Sequence, residues 1–215
     1  MSEATVLTNY IPKYYFQDDL DDSGWGCGWR CIQMLLSQID INKNIFDIAY
    51  EIKDIVGEDI SIDLDSKKIN MADIYWIMLY MSGVGHQLGH TDTEFEMFTI
   101  ENMSQINNLY DKLQMHFLLQ KSLVVVTAGG ATALIAGVKP ATDENLFDVY
   151  LVDPHTSSND VDFNELKGFG KGGRGWTNVR NVILKGKEEI GIEDDDEFLM
   201  NSSCLFGFLQ NLTIV

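Results

Sequence analysis

A cysteine lies between two glycines in the segment Ser23-Gly24-Trp25-Gly26-Cys27-Gly28-Trp29-Arg30. Small neighbours let the backbone of a substrate approach the sulfur closely. The segment also lies at the predicted start of a helix, where unpaired N–H groups and the helix dipole favour a thiolate over a thiol. Cys27 is therefore a candidate nucleophile. The alternative is that Cys27 is a small buried hydrophobic residue, as most free cysteines are.

An aspartate and a histidine follow a predicted strand in Tyr150-Leu151-Val152-Asp153-Pro154-His155. Residues two apart in an extended chain point to the same side, so Asp153 can face the imidazole of His155. A carboxylate there fixes the ring tautomer, raises its basicity and leaves the other nitrogen for Cys27. A turn that merely contains a histidine is the alternative. Together with Cys27, the pair is typical of papain-like cysteine proteases.

Acyl transfer also needs donors for an oxyanion. The candidates are the backbone N–H of Cys27 and an upstream side chain from Tyr14, Tyr15 or Gln17. Trp25 and Trp29 flank the cysteine and can line a channel for an extended substrate tail; simple core packing is the alternative for both.

Two other patterns indicate neither a metal nor a cofactor. His86 and His90 are four residues apart, but glycines interrupt the segment and no glutamate follows His86, so a metal site is not expected. Gly168–Gly173 has the spacing of a dinucleotide fingerprint, but no predicted strand precedes it and no predicted helix follows it. We interpret it as a flexible loop near the cleft.

Periodicity predicts helices in the first half of the chain and strands in the second half. The predicted helices are 27–39, 45–56, 72–81 and 104–120, and the predicted strands are 123–127, 133–138, 147–152, 179–184 and 204–209. This order indicates an α+β domain with a papain-like fold, in which a helical part packs on a mostly antiparallel sheet.

The chain of 215 residues, 45% of them hydrophobic, suits one compact domain over residues 1–215. A formal net charge of -18 disfavours nucleic acid and anionic membrane surfaces as partners. Three cysteines indicate a reducing compartment rather than a disulfide framework. No secretory signal or transmembrane segment is visible, so we expect a soluble intracellular protein, with a monomer as the default.

Three blocks of this sequence resemble the papain-like proteases specific for the ubiquitin-fold modifier, peptidase family C78. The first is the nucleophile region, with Tyr15-Phe16-Gln17-Asp18 followed by Asp21-Asp22-Ser23-Gly24-Trp25-Gly26-Cys27 and then Trp29-Arg30 and Gln33. The second is Asp153-Pro154-His155. The third is the strand pair 124–138, which here carries Ala128-Gly129-Gly130 where the family usually has three glycines.

The resemblance implies that Cys27 is the nucleophile, His155 the base, Asp153 its orienting acid and Tyr15 the oxyanion donor. It also implies that Gly129 and Gly130 contact the substrate tail. Such an enzyme hydrolyses the bond after the modifier's C-terminal glycine, both in the precursor and in lysine conjugates. It needs no cofactor, and it is cytoplasmic, with any recruitment to the endoplasmic reticulum surface left to a partner.

Two alternatives remain open from the sequence. Cys31 and Thr156 resemble positions of the autophagy proteases, which process lipid-conjugated ubiquitin-like proteins with the same chemistry. A non-catalytic module that binds a ubiquitin-like protein is the second alternative. A binding module would not need Cys27, Asp153, His155 and Tyr15 together.

Overall fold

The structure is a computed structural model that describes residues 4–57, 60–100, 104–141, 146–156, 163–188 and 204–211. The helices are α1 (Cys27–Ser37), α2 (Ile45–Val56), α3 (Ile74–Gln87), α4 (Ser104–Leu119) and α5 (Val179–Glu188). The strands are β1 (Thr5–Val6), β2 (Ile62–Asp63), β3 (Lys68–Ile69), β4 (Glu94–Ile100), β5 (Val124–Ala128), β6 (Ala131–Pro140), β7 (Phe147–Asp153), β8 (Gly173–Asn178) and β9 (Cys204–Gln210). Among the described residues, none of the helices is long and apolar enough to cross a membrane.

Within the described residues, the main sheet has seven strands, in the order β4-β9-β5-β6-β7-β8 with β1 paired to β6. Each of these pairings is antiparallel, as the sequence predicted. Strands β2 and β3 form a separate small hairpin. The sheet places the end of β7, and with it the Asp-Pro-His segment, next to its long neighbour β6.

The central strands are apolar on both faces, because each face is covered by helices. On β6, Leu134 and Ala136 belong to the core beneath α1, α2 and α3, whereas Ala133 and Ile135 belong to the core beneath α4 and α5. This alternation follows from the two-residue period of a strand. Helix α1 packs directly on β6, so the first turn of α1 is held above the centre of the sheet.

Two helices, α3 and α5, differ from what the sequence predicted for their residues. The segment 179–184 is not a strand but the start of α5, preceded by the Asn178 side chain, which accepts a hydrogen bond from the Arg180 N–H. Helix α3 continues to Gln87, beyond the predicted end at residue 81. It passes through Gly85, where a Cβ would lie 2.5 Å from the Thr93 hydroxyl, so a close approach explains that glycine.

A buried histidine on α4 predicts how stability depends on pH. His116 is 4% exposed, packs against Phe208, and uses Nε2 to contact the carbonyl and hydroxyl of Ser122. Burial, together with the charge of Lys112, lowers the pKa of His116 to about 4 despite the Ser122 contact. The native protein therefore resists protonation of His116. The free energy of unfolding begins to decrease as the pH falls below about 6.5, and it decreases further down to about pH 4.

We expect the wild type to lose on the order of 3 kcal/mol more stability than a His116→Gln variant between pH 7 and pH 4. Urea unfolding at the two pH values measures this difference, since the carboxylates contribute equally to both proteins. His86→Gln, which replaces an exposed histidine, serves as the matched control and should behave like the wild type. Equal losses in wild type and His116→Gln would contradict the assignment.

Candidate active site

Cys27 is the first residue of α1 and is only 3% exposed. Its N–H belongs to the first turn, whose N–H groups have no acceptor inside the helix, and the positive end of the helix dipole lies at the sulfur. The chain turns into this helix at Gly26, where the Asp22 side chain leaves no room for a Cβ, which would lie 2.3 Å from Asp22 Oδ2. Gly28 is likewise closely packed, against the carbonyl of Ala72, which a Cβ would approach to 2.8 Å.

Asp153 and His155 meet at the end of β7. His155 Nδ1 is 2.5 Å from Asp153 Oδ1, and the backbone N–H of His155 donates to the same oxygen at 3.0 Å. The other carboxylate oxygen accepts the N–H of Gly170 at 2.5 Å. Asp153 is fully buried, and its hydrogen bonds to His155 and Gly170 fix the orientation of its carboxylate.

The imidazole of His155 also contacts the Cys27 side chain. Burial would lower the pKa of His155, but the hydrogen bonds and charges of Asp153 and Cys27 outweigh it and raise that pKa to about 10. Burial would likewise raise the pKa of Cys27, yet contacts with His155, the Thr132 backbone and Tyr15 bring it below its ordinary value. Both shifts favour a resting thiolate–imidazolium pair.

Tyr15 reaches the same point from the N-terminal segment. Its side chain is 6% exposed, contacts Cys27 and packs edge-on to the His155 ring at a centroid distance of 5.3 Å. Its backbone N–H donates to the carbonyl of Pro154 at 3.0 Å, which ties it to the Asp-Pro-His segment. Burial and the neighbouring Cys27 raise the pKa of Tyr15 well above its usual value, so its hydroxyl stays protonated and can donate a hydrogen bond.

These four side chains come from three separate stretches of sequence and meet at one point, where Asp153 is hydrogen-bonded to His155 and both His155 and Tyr15 contact Cys27. Of the three upstream candidates for an oxyanion donor, Tyr15 is the one in contact with Cys27. Tyr14 instead packs on Phe163 at a centroid distance of 5.3 Å. The Gln17 side chain accepts a hydrogen bond from the Tyr14 N–H at 3.4 Å.

A sequence profile described as peptidase family C78 matches residues 2–188, which is most of the chain. The chain belongs to peptidase family C78. Two curated relatives are similar to it, each named "Probable Ufm1-specific protease 2". The protein from Drosophila melanogaster is 24% identical over 178 residues, and that from Drosophila pseudoobscura pseudoobscura is 23% identical over 182 residues. Each alignment covers 78% of this chain and 27% of the relative, so the chain spans about a quarter of their length.

The fold is also similar to that of a solved structure described as "Crystal structure of UfSP from C.elegans". The two share a TM-score of 0.65 and 16% sequence identity, over 100% of this chain and 35% of the other. The family match and this likeness agree with the α+β, papain-like architecture predicted from the sequence.

The predicted contacts with a substrate tail divide into two groups. Gly129 and Gly130 form the two-residue turn between β5 and β6, and both have positive φ, of 52° and 66°. Two consecutive positive φ angles make glycine the natural choice for such a hairpin turn. The turn lies two residues before Thr132, whose backbone contacts the Cys27 sulfur, so in this C78 chain it stands close to the nucleophile.

The tryptophans lie deeper than the sequence suggested. Trp29 is 0% exposed within the core, and its Nε1–H donates to the carbonyl of Asn70 at 2.9 Å. The prediction that Trp29 lines a substrate channel is at odds with this burial, and core packing is its role in the structure. Trp25 keeps 9% of its surface accessible and mainly packs in the same core.

Two backbone groups that contact the site were not predicted. The N–H of Thr132 contacts the sulfur of Cys27, and the N–H of Gly170 binds Asp153. Gly170 belongs to the glycine run 168–173, which was predicted to be a loop near the cleft. Gly172, in the same run, packs so tightly against Thr156 that a Cβ would lie 2.6 Å from the Thr156 Cβ. The run of glycines between residues 168 and 173 was therefore the one sequence signal for the contact at Gly170.

Proposed function

We propose that this chain is a cysteine peptidase that hydrolyses the bond after the C-terminal glycine of Ufm1, the ubiquitin-fold modifier. The observation that carries the proposal is that the hydrogen-bonded Asp153–His155 pair and the Tyr15 side chain both meet the Cys27 thiol. Membership of family C78 and the names of the two Drosophila relatives support Ufm1 as the modifier.

In the first half of the reaction, the Cys27 thiolate attacks the carbonyl carbon of the terminal glycine. The Tyr15 hydroxyl and the Cys27 backbone N–H donate to the oxyanion that forms, which is the charge such donors stabilise best. The His155 imidazolium then gives its proton to the leaving amine, and the C–N bond breaks to leave a thioester.

In the second half, a water molecule replaces the departed amine. Neutral His155 accepts a proton from the water as its oxygen attacks the thioester carbonyl, and the same donors hold the second oxyanion. Collapse releases the modifier with a free carboxylate and restores the thiolate–imidazolium pair. Asp153 stabilises the imidazolium in both halves and keeps the ring in the orientation that points it at Cys27.

The turn at Gly129-Gly130 is proposed to face the extended glycine end of the modifier. The absence of side chains at the two positions allows a substrate backbone to approach Cys27 from this side. Cys27 is only 3% exposed, so a large side chain in the modifier's last position would clash with the residues that surround the nucleophile. Cleavage should therefore be restricted to tails that end in glycine.

The proposal is tested by hydrolysis of three substrates that carry the same C-terminal fluorogenic amide: Ufm1, an autophagy modifier and ubiquitin. We expect turnover of the Ufm1 substrate alone, because the chain belongs to family C78 and its two Drosophila relatives are named as Ufm1-specific proteases. Turnover of the autophagy substrate instead would retain the mechanism and reject the modifier. Absence of turnover together with ordinary, slow alkylation of Cys27 would identify a binding module and reject the enzyme.

A further inference from the structure

The segment that follows Tyr15 has an unfavourable backbone conformation. Phe16, Asp18 and Asp19 have φ angles of 61°, 63° and 54°. Side chains with a Cβ rarely adopt such angles, and a cluster of three within four residues persists only where other contacts hold it. Tyr15 is the residue immediately before this segment, so those contacts also determine where its hydroxyl points.

One of these contacts is the carboxylate of Asp22, which is fully buried. Its Oδ1 accepts the backbone N–H of Phe16 at 2.8 Å, and its Oδ2 accepts Nε–H of Arg30 at 2.7 Å. The same Oδ2 occupies the space in which a Cβ of Gly26 would lie. Asp22 thus contacts both Phe16, which follows Tyr15, and Gly26, which precedes Cys27.

The second contact is the guanidinium of Arg30, on the first turns of α1 and also fully buried. Its Nη2 donates to the carbonyl of Gln17 at 2.9 Å, and its Nη1 donates to Asp18 Oδ2 at 3.0 Å. Nη1 also reaches Gln33 Oε1 at 3.0 Å. Gln17 and Asp18, the second and third residues after Tyr15, are therefore bound directly to the helix that carries the nucleophile.

We propose that Asp22 and Arg30 are positioning residues, which hold the Tyr15 hydroxyl at Cys27 by binding the strained segment 16–19. Neither side chain is accessible, so neither can touch a substrate. A planar guanidinium can bind a carbonyl and two carboxylates at once, which a lysine ammonium at the same place cannot do with this geometry. The inference rests on the proposed function, in which Tyr15 is an oxyanion donor.

The test is a kinetic double-mutant cycle with Tyr15→Phe. Removing one oxyanion donor typically lowers kcat by about 10²–10³-fold. We expect Arg30→Lys and Asp22→Asn to lower kcat on the Ufm1 amide by about tenfold or more with little change in KM, since they displace the same donor. In the Tyr15→Phe background, each should add less than about twofold. Equal fold-losses in both backgrounds would overturn the proposal.

Two further variants separate positioning from general destabilisation. Asp18→Asn changes a side chain that is 55% exposed and loosens only one contact of Arg30, so it folds even if the buried variants do not. It should give a smaller kcat loss that also vanishes in the Tyr15→Phe background. Glu51→Gln weakens the Lys43–Glu51 ion pair, whose described side-chain hydrogen bonds are to each other and to Tyr80, and should leave kcat unchanged.

Amide hydrogen exchange decides the proposal independently of turnover. Arg30→Lys and Asp18→Asn should accelerate exchange in residues 15–20 while α3 stays as protected as in the wild type. If the wild type cleaves none of the substrates but this exchange pattern is found, the proposed function fails and the positioning role survives. Unchanged exchange in residues 15–20 would overturn the positioning role, whatever the activity.

Discussion

Replacing Cys27 with alanine is expected to abolish hydrolysis of the Ufm1 amide while leaving the fold intact. The thiolate forms the bond on which both halves of the reaction depend, so we expect kcat to fall by roughly 10⁴-fold or more. The substitution removes one sulfur atom at a site that is nearly closed, and circular dichroism and thermal unfolding should show a native protein. Turnover is measured with the same fluorogenic substrate for both proteins.

Cys31→Ala is the matched control, because Cys31 lies one turn along α1 and is also buried. Burial, with the nearby Cys27 and Asp153, raises the pKa of Cys31 well above its usual value, so it stays a thiol and we expect it to take no part in the reaction. Its alanine variant should keep kcat within about threefold of the wild type. Loss of activity in Cys31→Ala with full activity in Cys27→Ala would reverse the assignment of the nucleophile.

Asp153→Asn is expected to give the second largest effect. The amide cannot stabilise an imidazolium, and it presents an N–H where the histidine ring needs an acceptor. We expect kcat to fall by roughly 10²–10⁴-fold. The carboxylate is also a main reason why the pKa of His155 reaches about 10, so without it the imidazolium loses its proton at a lower pH. The alkaline limb of the kcat/KM profile should therefore move to lower pH.

Asp148→Asn provides the control on the same strand. Asp148 lies on β7 and forms an ion pair with Lys139 at 3.7 Å, and it has no contact with His155. The same chemical change there should alter neither kcat nor the pH profile. An unchanged alkaline limb in Asp153→Asn would contradict the role given to this carboxylate.

The elements that could be predicted from the sequence are those whose signals are local. Helix α2 matches its predicted bounds, because apolar residues recur at helical spacing between the Asn44 cap and Gly57. The hairpin at Gly129-Gly130 was predicted from an equally local signal, a pair of glycines between two apolar strand segments. The prediction of a strand over 179–184 was wrong. It followed from the β-branched side chains of Val179, Val182 and Ile183, but their spacing is that of a helix and all three are buried on one face of α5.

The side chains of the site could be predicted because each carries its own chemistry. Cys27 and the Asp153/His155 pair each lie in a short segment with recognisable spacing. The N–H groups of Thr132 and Gly170 could not be predicted, since a backbone donor has no signature in the residue type. The network of Asp22 and Arg30 was missed for a different reason: a charged pair near the surface and a fully buried pair look identical in sequence.

The most direct test of the central claim is covalent capture by Ufm1 that carries an electrophile in place of its C-terminal carboxylate, followed by intact-mass measurement and peptide mapping. The proposed mechanism predicts that the wild type gains the mass of one probe on Cys27, while Cys27→Ala gains none. An adduct on Cys31 or Cys204, or no adduct on a folded wild-type protein, would contradict the claim that Cys27 is the nucleophile of a Ufm1 peptidase.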